Sequence, residues 1–283
     1  MIEKIYIARH GFRSNWVNSN WTSLTGLPRD SPLAAYGETQ AIELAKYFES
    51  LPKDERPTAI FSSPYYRCLQ TSKPVAEHLS LPIYVEHGIS EWCSPVVSGT
   101  GLFPRPKGAV DLQTLLPKIS SSWRSIKIDP SWNSVWLPPR KGEGVEEVHA
   151  RMVGFLECFI NLIETRSDMN HHKNVLLVSH AAPIIALCRG LLSQPNLPLR
   201  VGCCTVSQFS RRHDAVSVGG ARQWDAVALA SSAHLSNQEL LRDWGFEDIV
   251  TEGSGQVIHD VGVPGTESEE DDTFGPQIHL GRL

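Results

Sequence analysis

Lys4-Ile5-Tyr6-Ile7-Ala8-Arg9-His10-Gly11 is an apolar run that stops abruptly at a cation, an imidazole and a glycine. Its alternation predicts a strand over residues 4–8, with Arg9-His10-Gly11 at the carboxyl end. The pattern returns far along the chain: Val175-Leu176-Leu177-Val178 reads as a buried strand leading into Ser179-His180. Ile184, Leu187, Cys188 and Leu191 then mark a helix. Between the two, Thr58-Ala59-Ile60-Phe61 is another short strand, and Ser62-Ser63-Pro64 has the chemistry of a helix start. Cys68, Thr71, Ser72, Val75, Ala76 and Leu79 share one face of that helix. Ala41, Leu44, Ala45 and Phe48 mark a helix before it, Ile83-Tyr84-Val85 a strand after it, and Val145 to Ile163 a long amphipathic helix. Cys203–Phe209 and Gln223–Ala230 read as closing strands. Strands alternating with helices at this spacing give an α/β fold, a mostly parallel sheet with helices on both faces. Ligands of such sheets bind beyond the carboxyl ends of the strands. Both His10 and His180 stand there.

At 283 residues the chain is long enough for one large α/β domain. We place it at residues 1–252, interrupted over about 93–143, where seven prolines from Pro95 to Pro139 and three tryptophans (Trp123, Trp132, Trp136) break the rhythm. That stretch reads as an insertion, either a cover over the site or an irregular surface excursion. Residues 253–283 are Gly-rich and then acidic, which predicts a disordered tail, inert or docking on a partner through its apolar end. Five of the acidic residues behind the net charge of −5 lie within 267–272, so the rest of the chain is nearly neutral. No broad basic field exists for non-specific nucleic-acid binding. No apolar run reaches the roughly 18 residues of a membrane helix, and Met1-Ile2-Glu3-Lys4 opens no signal core. Six cysteines without C-x-x-C spacing suggest a reduced compartment, cytoplasmic or nuclear.

The chemistry gathers at three strand–helix junctions: Arg9, His10 and Arg13 after the first, Arg67 after the second, His180 after the fourth. Singly, each has a structural explanation, because helix starts tolerate many polar residues. Together they point to an anion site. A phosphoryl dianion suits permanently charged, bidentate arginine forks, helix N-termini add amide donors, and histidine is a competent nucleophile. Neighbouring arginines should favour the neutral, attacking imidazole. Serine-hydrolase, P-loop, dinucleotide and zincin segments are all missing. His171-His172 reads as a solvated loop pair, not a metal site.

Four segments in this order carry a resemblance: Ile7-Ala8-Arg9-His10-Gly11-Phe12-Arg13, Ser62-Ser63-Pro64-Tyr65-Tyr66-Arg67-Cys68-Leu69-Gln70-Thr71, Gly88-Ile89-Ser90-Glu91-Trp92 and Val178-Ser179-His180-Ala181-Ala182-Pro183. Over about residues 3–250 the chain resembles the histidine phosphatase (phosphoglycerate mutase-like) superfamily. That resemblance implies that His10 is the phosphate-accepting nucleophile. It makes Arg9, Arg13, Arg67 and His180 the phosphate pocket and Glu91 the general acid; an ordinary salt-bridged glutamate is the alternative for Glu91. Ala181-Ala182 stands where many members carry glycines. No cofactor and no metal are implied, because arginines can neutralise the phosphate charge. Arg13 and the Glu91-Trp92 pair look closer to phosphatases of the histidine acid phosphatase kind than to mutases. Ser14-Asn15-Trp16 and Ser232-Ala233-His234-Leu235-Ser236-Asn237 look similar to fungal members that serve as a subunit of an RNA polymerase III transcription factor. Two readings follow: a metal-independent phosphomonoesterase working through phosphohistidine, or a phosphatase-like assembly subunit whose activity is incidental. The substrate stays open, and protein partners are expected only under the second reading.

Overall fold

The computed structural model describes residues 1–212, 223–251, 257–271 and 273–278. Along the chain run β1 (Lys4–Arg9), α1 (Ala35–Ser50), β2 (Ala59–Ser62), α2 (Tyr66–Leu79), β3 (Ile83–Val85), α3 (Ala109–Ile119), β4 (Ile128–Asp129), β5 (Trp136–Leu137), α4 (Val145–Thr165), β6 (Asn174–Ser179), α5 (Ala181–Leu192), β7 (Val206–Arg211), β8 (Trp224–Ser231) and β9 (Gly275–Pro276). Seven strands form one sheet in the order β4-β3-β2-β6-β1-β7-β8. The first five are parallel, and β7 and β8 close the edge antiparallel. This is the mostly parallel α/β architecture that the alternating pattern predicts.

Period-two patterning explains the two cores. Ile5 and Ile7 of β1 join Phe61, Val175 and Leu177 beneath α4 and α5. Tyr6 and Ala8 point the other way, with Ile60, Leu176 and Val178, against α1 and α2. With helices over both faces, the central strands read as unbroken apolar runs. Each large side chain fully buried this way contributes about 1.5–3 kcal/mol.

Register sets the site. Ala8 pairs with Val178 and Arg9 with Ser179, so β1 and β6 end side by side. The His10 amide donates to the Ser179 carbonyl at 3.0 Å, which fixes His10 next to His180.

The stretch 93–143 is more regular than its composition predicts. It contributes α3, and it adds β4 to the sheet beside β3. Trp123 and Trp132 are core residues, and the Trp132 ring meets Phe61 edge-on at 4.8 Å. The reason is that α3 buries only Ala109, Leu112 and Leu116, and Pro117 lies inside it, so its helical signal is short and broken. The region expected to be a free acidic tail also makes contacts over its described residues. β9 pairs with β5, and Asp260 accepts from Arg29 at 2.7 and 2.9 Å and from Ser94 at 2.8 Å. Asp271 accepts from the Arg140 amide at 2.6 Å, and Glu269 pairs with Arg140 at 2.6 Å. The acidic run finds cations of the insertion, which composition alone does not show. Residues 253–256, 272 and 279–283 lie outside the described residues.

Candidate active site

The predicted residues converge at the carboxyl ends of β1, β2 and β6. Gly37 at the start of α1 lets the loop after β1 approach closely: a Cβ there would stand 2.1 Å from the Phe12 carbonyl oxygen. His10 follows β1 and is 1% exposed. Its Nδ1 lies 2.8 Å from the Gly11 carbonyl oxygen. A carbonyl only accepts, so Nδ1 carries the proton and the lone pair stays on Nε2. Burial, then Arg67, Arg9, His180 and Arg13, hold His10 well below the ordinary histidine pKa. The expected arginine effect is therefore present, but burial leads it.

Arg67 sits in the first turn of α2, fully buried, and uses both ends of its fork. Nη1 donates to the Asp30 carboxylate and the Arg29 carbonyl, each at 3.3 Å. Nη2 donates to Glu91 Oε2 at 3.1 Å and lies 3.1 Å from His180 Nδ1. His180 Nδ1 also lies 3.3 Å from Glu91 Oε2, and its Nε2 lies 2.8 Å from Ser63 Oγ, a hydroxyl that can donate or accept. Burial lowers the His180 pKa to about 4, although Glu91 opposes this. Burial would raise the Glu91 carboxyl, yet His180, Arg67 and Arg13 reverse that and hold it well below the usual carboxylate range. Glu91 is ionised here. Arg9 donates from Nη1 to the carbonyls of Val201 (2.6 Å) and Arg242 (2.7 Å). Arg13 lies with its guanidinium 4.3 Å from the centre of the Trp16 indole ring.

Arg9, Arg13 and Arg67 each keep a buried Nε–H without a partner among the described residues. Buried donors left unpaired are costly, so their convergence around one imidazole is a demand for an anion. One expected source of donors is otherwise engaged. The Tyr66 amide that opens α2 is already taken by the Asp30 carboxylate at 2.9 and 3.1 Å. Ser62-Ser63-Pro64 therefore precedes the helix without capping it; a distant carboxylate does that work.

No sequence spacing shows a metal trio, but the fold brings one together: ligand atoms of His10, Glu91 and His180 all lie within 4.8 Å of one another. Two imidazoles and a carboxylate are a donor set that divalent metals accept. Here three guanidinium groups share the space, so an anion fits the surrounding charge better than a dication does.

Sequence reasoning missed Asp30, Ser63, Trp16 and Arg242. Ser63 and Trp16 stand in segments of the resemblance but carry no assigned role there, Asp30 and Arg242 stand in none, and all four reach the pocket through chain folding. His87 is near in sequence, but its ring contacts Ser134 Oγ at 2.9 Å and the Pro106 carbonyl at 3.1 Å, which ties down the insertion.

Comparison with known proteins bears on the family and the fold. The transcription factor tau 55 kDa subunit of Saccharomyces cerevisiae is 33% identical over 283 aligned residues, covering 91% of this chain and 62% of the relative. The chain thus spans about three-fifths of that relative's length, 62%. A fungal transcription-factor subunit is the narrower likeness that the sequence implies. Among solved structures, the ecdysone phosphate phosphatase from Bombix mori, in complex with tungstate, has a TM-score of 0.57 at 16% identity, covering 81% of this chain and 93% of that one. The mycobacterial glucosyl-3-phosphoglycerate phosphatase has a TM-score of 0.50 at 21% identity, covering 81% and 99%. At such identities these two show a shared fold. The family model of the histidine phosphatase superfamily (branch 1) matches residues 5–102 and 117–219, well over half of the chain and every junction of the pocket. This chain belongs to the histidine phosphatase superfamily.

Proposed function

We propose that the protein is a metal-independent phosphomonoesterase acting through a phosphohistidine on His10. The observation that carries this reading is the His10 ring: Nδ1–H is tied to the Gly11 carbonyl, Nε2 is left as a lone pair, and the charges of Arg67, Arg9 and Arg13, each with a buried unpartnered Nε–H, bear on it. In the first step His10 Nε2 bonds to phosphorus and the bond from phosphorus to the ester oxygen breaks. That oxygen leaves with a proton from Glu91. In the second step water attacks phosphorus, the P–N bond breaks, and Glu91 takes the water's proton. Arg9, Arg13, Arg67 and His180 hold the phosphoryl oxygens as their charge redistributes. Glu91 is ionised while it contacts Arg67. A phosphoryl dianion that takes over Arg67 and places negative charge beside Glu91 raises its proton affinity. The finer expectation of a histidine acid phosphatase-like enzyme goes beyond the family match, whose description is branch 1.

The yeast relative favours a second role for the same chain, as a subunit of a transcription factor assembly in the nucleus. No helix among the described residues is long and apolar enough to cross a membrane. A panel of phosphomonoesters assayed with the wild type and with His10→Ala tests the first role. Turnover that vanishes in the variant is expected, and undiminished turnover contradicts it. Recovery of stable protein associates with His10→Ala from a native extract tests the second; a lone monomer contradicts it.

A further inference from the structure

Beside the phosphoryl pocket, one indole carries an unusual amount of positive charge. The guanidinium carbons of Arg13, Arg242 and Arg9 lie 4.3, 5.3 and 5.9 Å from the centre of the Trp16 ring. That ring is 6.4 Å, centre to centre, from the His10 imidazole. Arg9 is anchored by two carbonyls, but neither Arg13 nor Arg242 has a side-chain hydrogen bond or ion pair among the described residues. Arg13 feels the Glu91 carboxylate, but no acid among the described residues compensates Arg242. Asp243, Glu247 and Asp248, the acidic neighbours of Arg242 in sequence, are all collected by Arg200, at 2.7, 2.6 and 2.7 Å. Arg242 is also built into position. Its carbonyl accepts from Arg9 at 2.7 Å, and it holds a left-handed φ of 47°, which non-glycine residues rarely adopt. Such outliers collect at functional sites, where the surrounding structure enforces them.

Aromatic faces hold guanidinium groups without consuming their N–H donors. Trp16 therefore works as a platform that keeps two like charges next to the pocket with their donors available. Like charges held together in excess of their counter-ions are stabilised by an anion between them.

We propose that Arg242 and Arg13, stacked on Trp16, form a second anion subsite, and that the substrates are phosphomonoesters carrying a further carboxylate or phosphate on the leaving group. The proposal rests on the phosphatase reading of the His10 pocket and narrows its substrate class. Arg242 is the specificity-determining member, because Arg13 also faces the phosphoryl group.

The test compares phenyl phosphate with 3-carboxyphenyl phosphate, first as ligands of the His10→Ala protein by calorimetry, then as substrates of the wild type. With Arg242 present, the carboxylated ester should bind about tenfold more tightly, a modest return for one charge-assisted hydrogen bond. Arg242→Ala should abolish this preference, and Arg242→Lys should keep part of it. The same ratio should be seen in kcat/KM and lie mainly in KM. Equal binding of the two esters overturns the subsite, as does a preference that survives Arg242→Ala. A binding preference with no turnover of either ester by the wild type supports the subsite and overturns the phosphatase reading, so the two failures are distinct.

Discussion

Asp30→Asn is the perturbation that probes how the pocket is built. Asp30 is 1% exposed and accepts from Thr25 Oγ1 at 2.7 Å, from the Tyr66 amide at 2.9 Å and from Arg67 Nη1 at 3.3 Å. One carboxylate thus caps α2 and braces the arginine that contacts both Glu91 and His180. Breaking a buried ion pair by removing one partner typically costs about 3–5 kcal/mol. Two features reduce that figure. Asparagine keeps one carbonyl oxygen for the Tyr66 amide, and Arg67 retains Glu91 and the Arg29 carbonyl. Burial also raises the Asp30 carboxyl despite the pull of Arg67, so the neutral amide saves some desolvation. We expect a loss of about 1–3 kcal/mol in urea unfolding with an unchanged m value. Because Arg67 loses its brace, kcat/KM for p-nitrophenyl phosphate should fall by about 10–100-fold, mostly in kcat. A variant within about 0.5 kcal/mol and twofold of the wild type refutes the reasoning, since additive-scale surface changes do no more than this.

Glu91→Gln should slow an alkyl phosphate far more than p-nitrophenyl phosphate, by roughly the 10²–10⁴-fold of acid–base catalysis, because only the alkoxide needs a proton to leave; equal losses on both assign Glu91 to positioning alone. Arg67→Ala should cost about 3–4 kcal/mol of transition-state stabilisation, the scale of a central electrostatic donor, read as kcat/KM. Chelation with EDTA should leave turnover intact, and activity lost on chelation and restored by a divalent metal assigns the His10–Glu91–His180 trio to an ion instead. Stability should fall as pH drops from about 6.5 towards 4, at up to about 1.4 kcal/mol per histidine per pH unit. Burial lowers His180, His87 and His172 to about 4 and also holds His10 well below the ordinary histidine range, so the unfolded chain binds protons that the native one refuses. Glu86, which burial raises to about 7, and Asp30, which burial also raises, act oppositely, losing stability as pH rises, but they are two groups against five histidines, since burial lowers His234 as well. A denaturation midpoint that rises on acidification across this window contradicts the assignment.

Much of the fold is legible in the sequence because its central strands are buried on both faces and announce themselves as apolar runs. Ile5 to Ala8 and Val175 to Val178 are of this kind, and each ends in the polar residue that matters. The site residues adjoining such strands, His10 and His180, could be placed by local pattern alone; Arg67 could be placed one helical turn beyond β2. The rest depends on chain folding. Asp30 stands in an irregular loop, and only the close packing of that loop on α2 reveals it as the cap and brace. Arg242 lies more than 200 residues from Trp16 and follows no period. The insertion hides α3 and β4 because a two-residue strand and a helix holding Pro117 carry almost no periodic signal. The tail's acids look solvated until their cationic partners are brought to them, Arg29 to Asp260 and Arg140 to Glu269.

The central claim is that His10 takes the phosphoryl group covalently. Rapid mixing of wild-type protein with a ³²P-labelled phosphomonoester, quenched in base and mapped by peptide mass spectrometry, tests it most directly. Label is expected on the peptide holding Arg9-His10-Gly11, stable to base, released by mild acid, and missing in His10→Ala. Turnover by the wild type with no label on His10 at any quench time, or label that persists in His10→Ala, contradicts it.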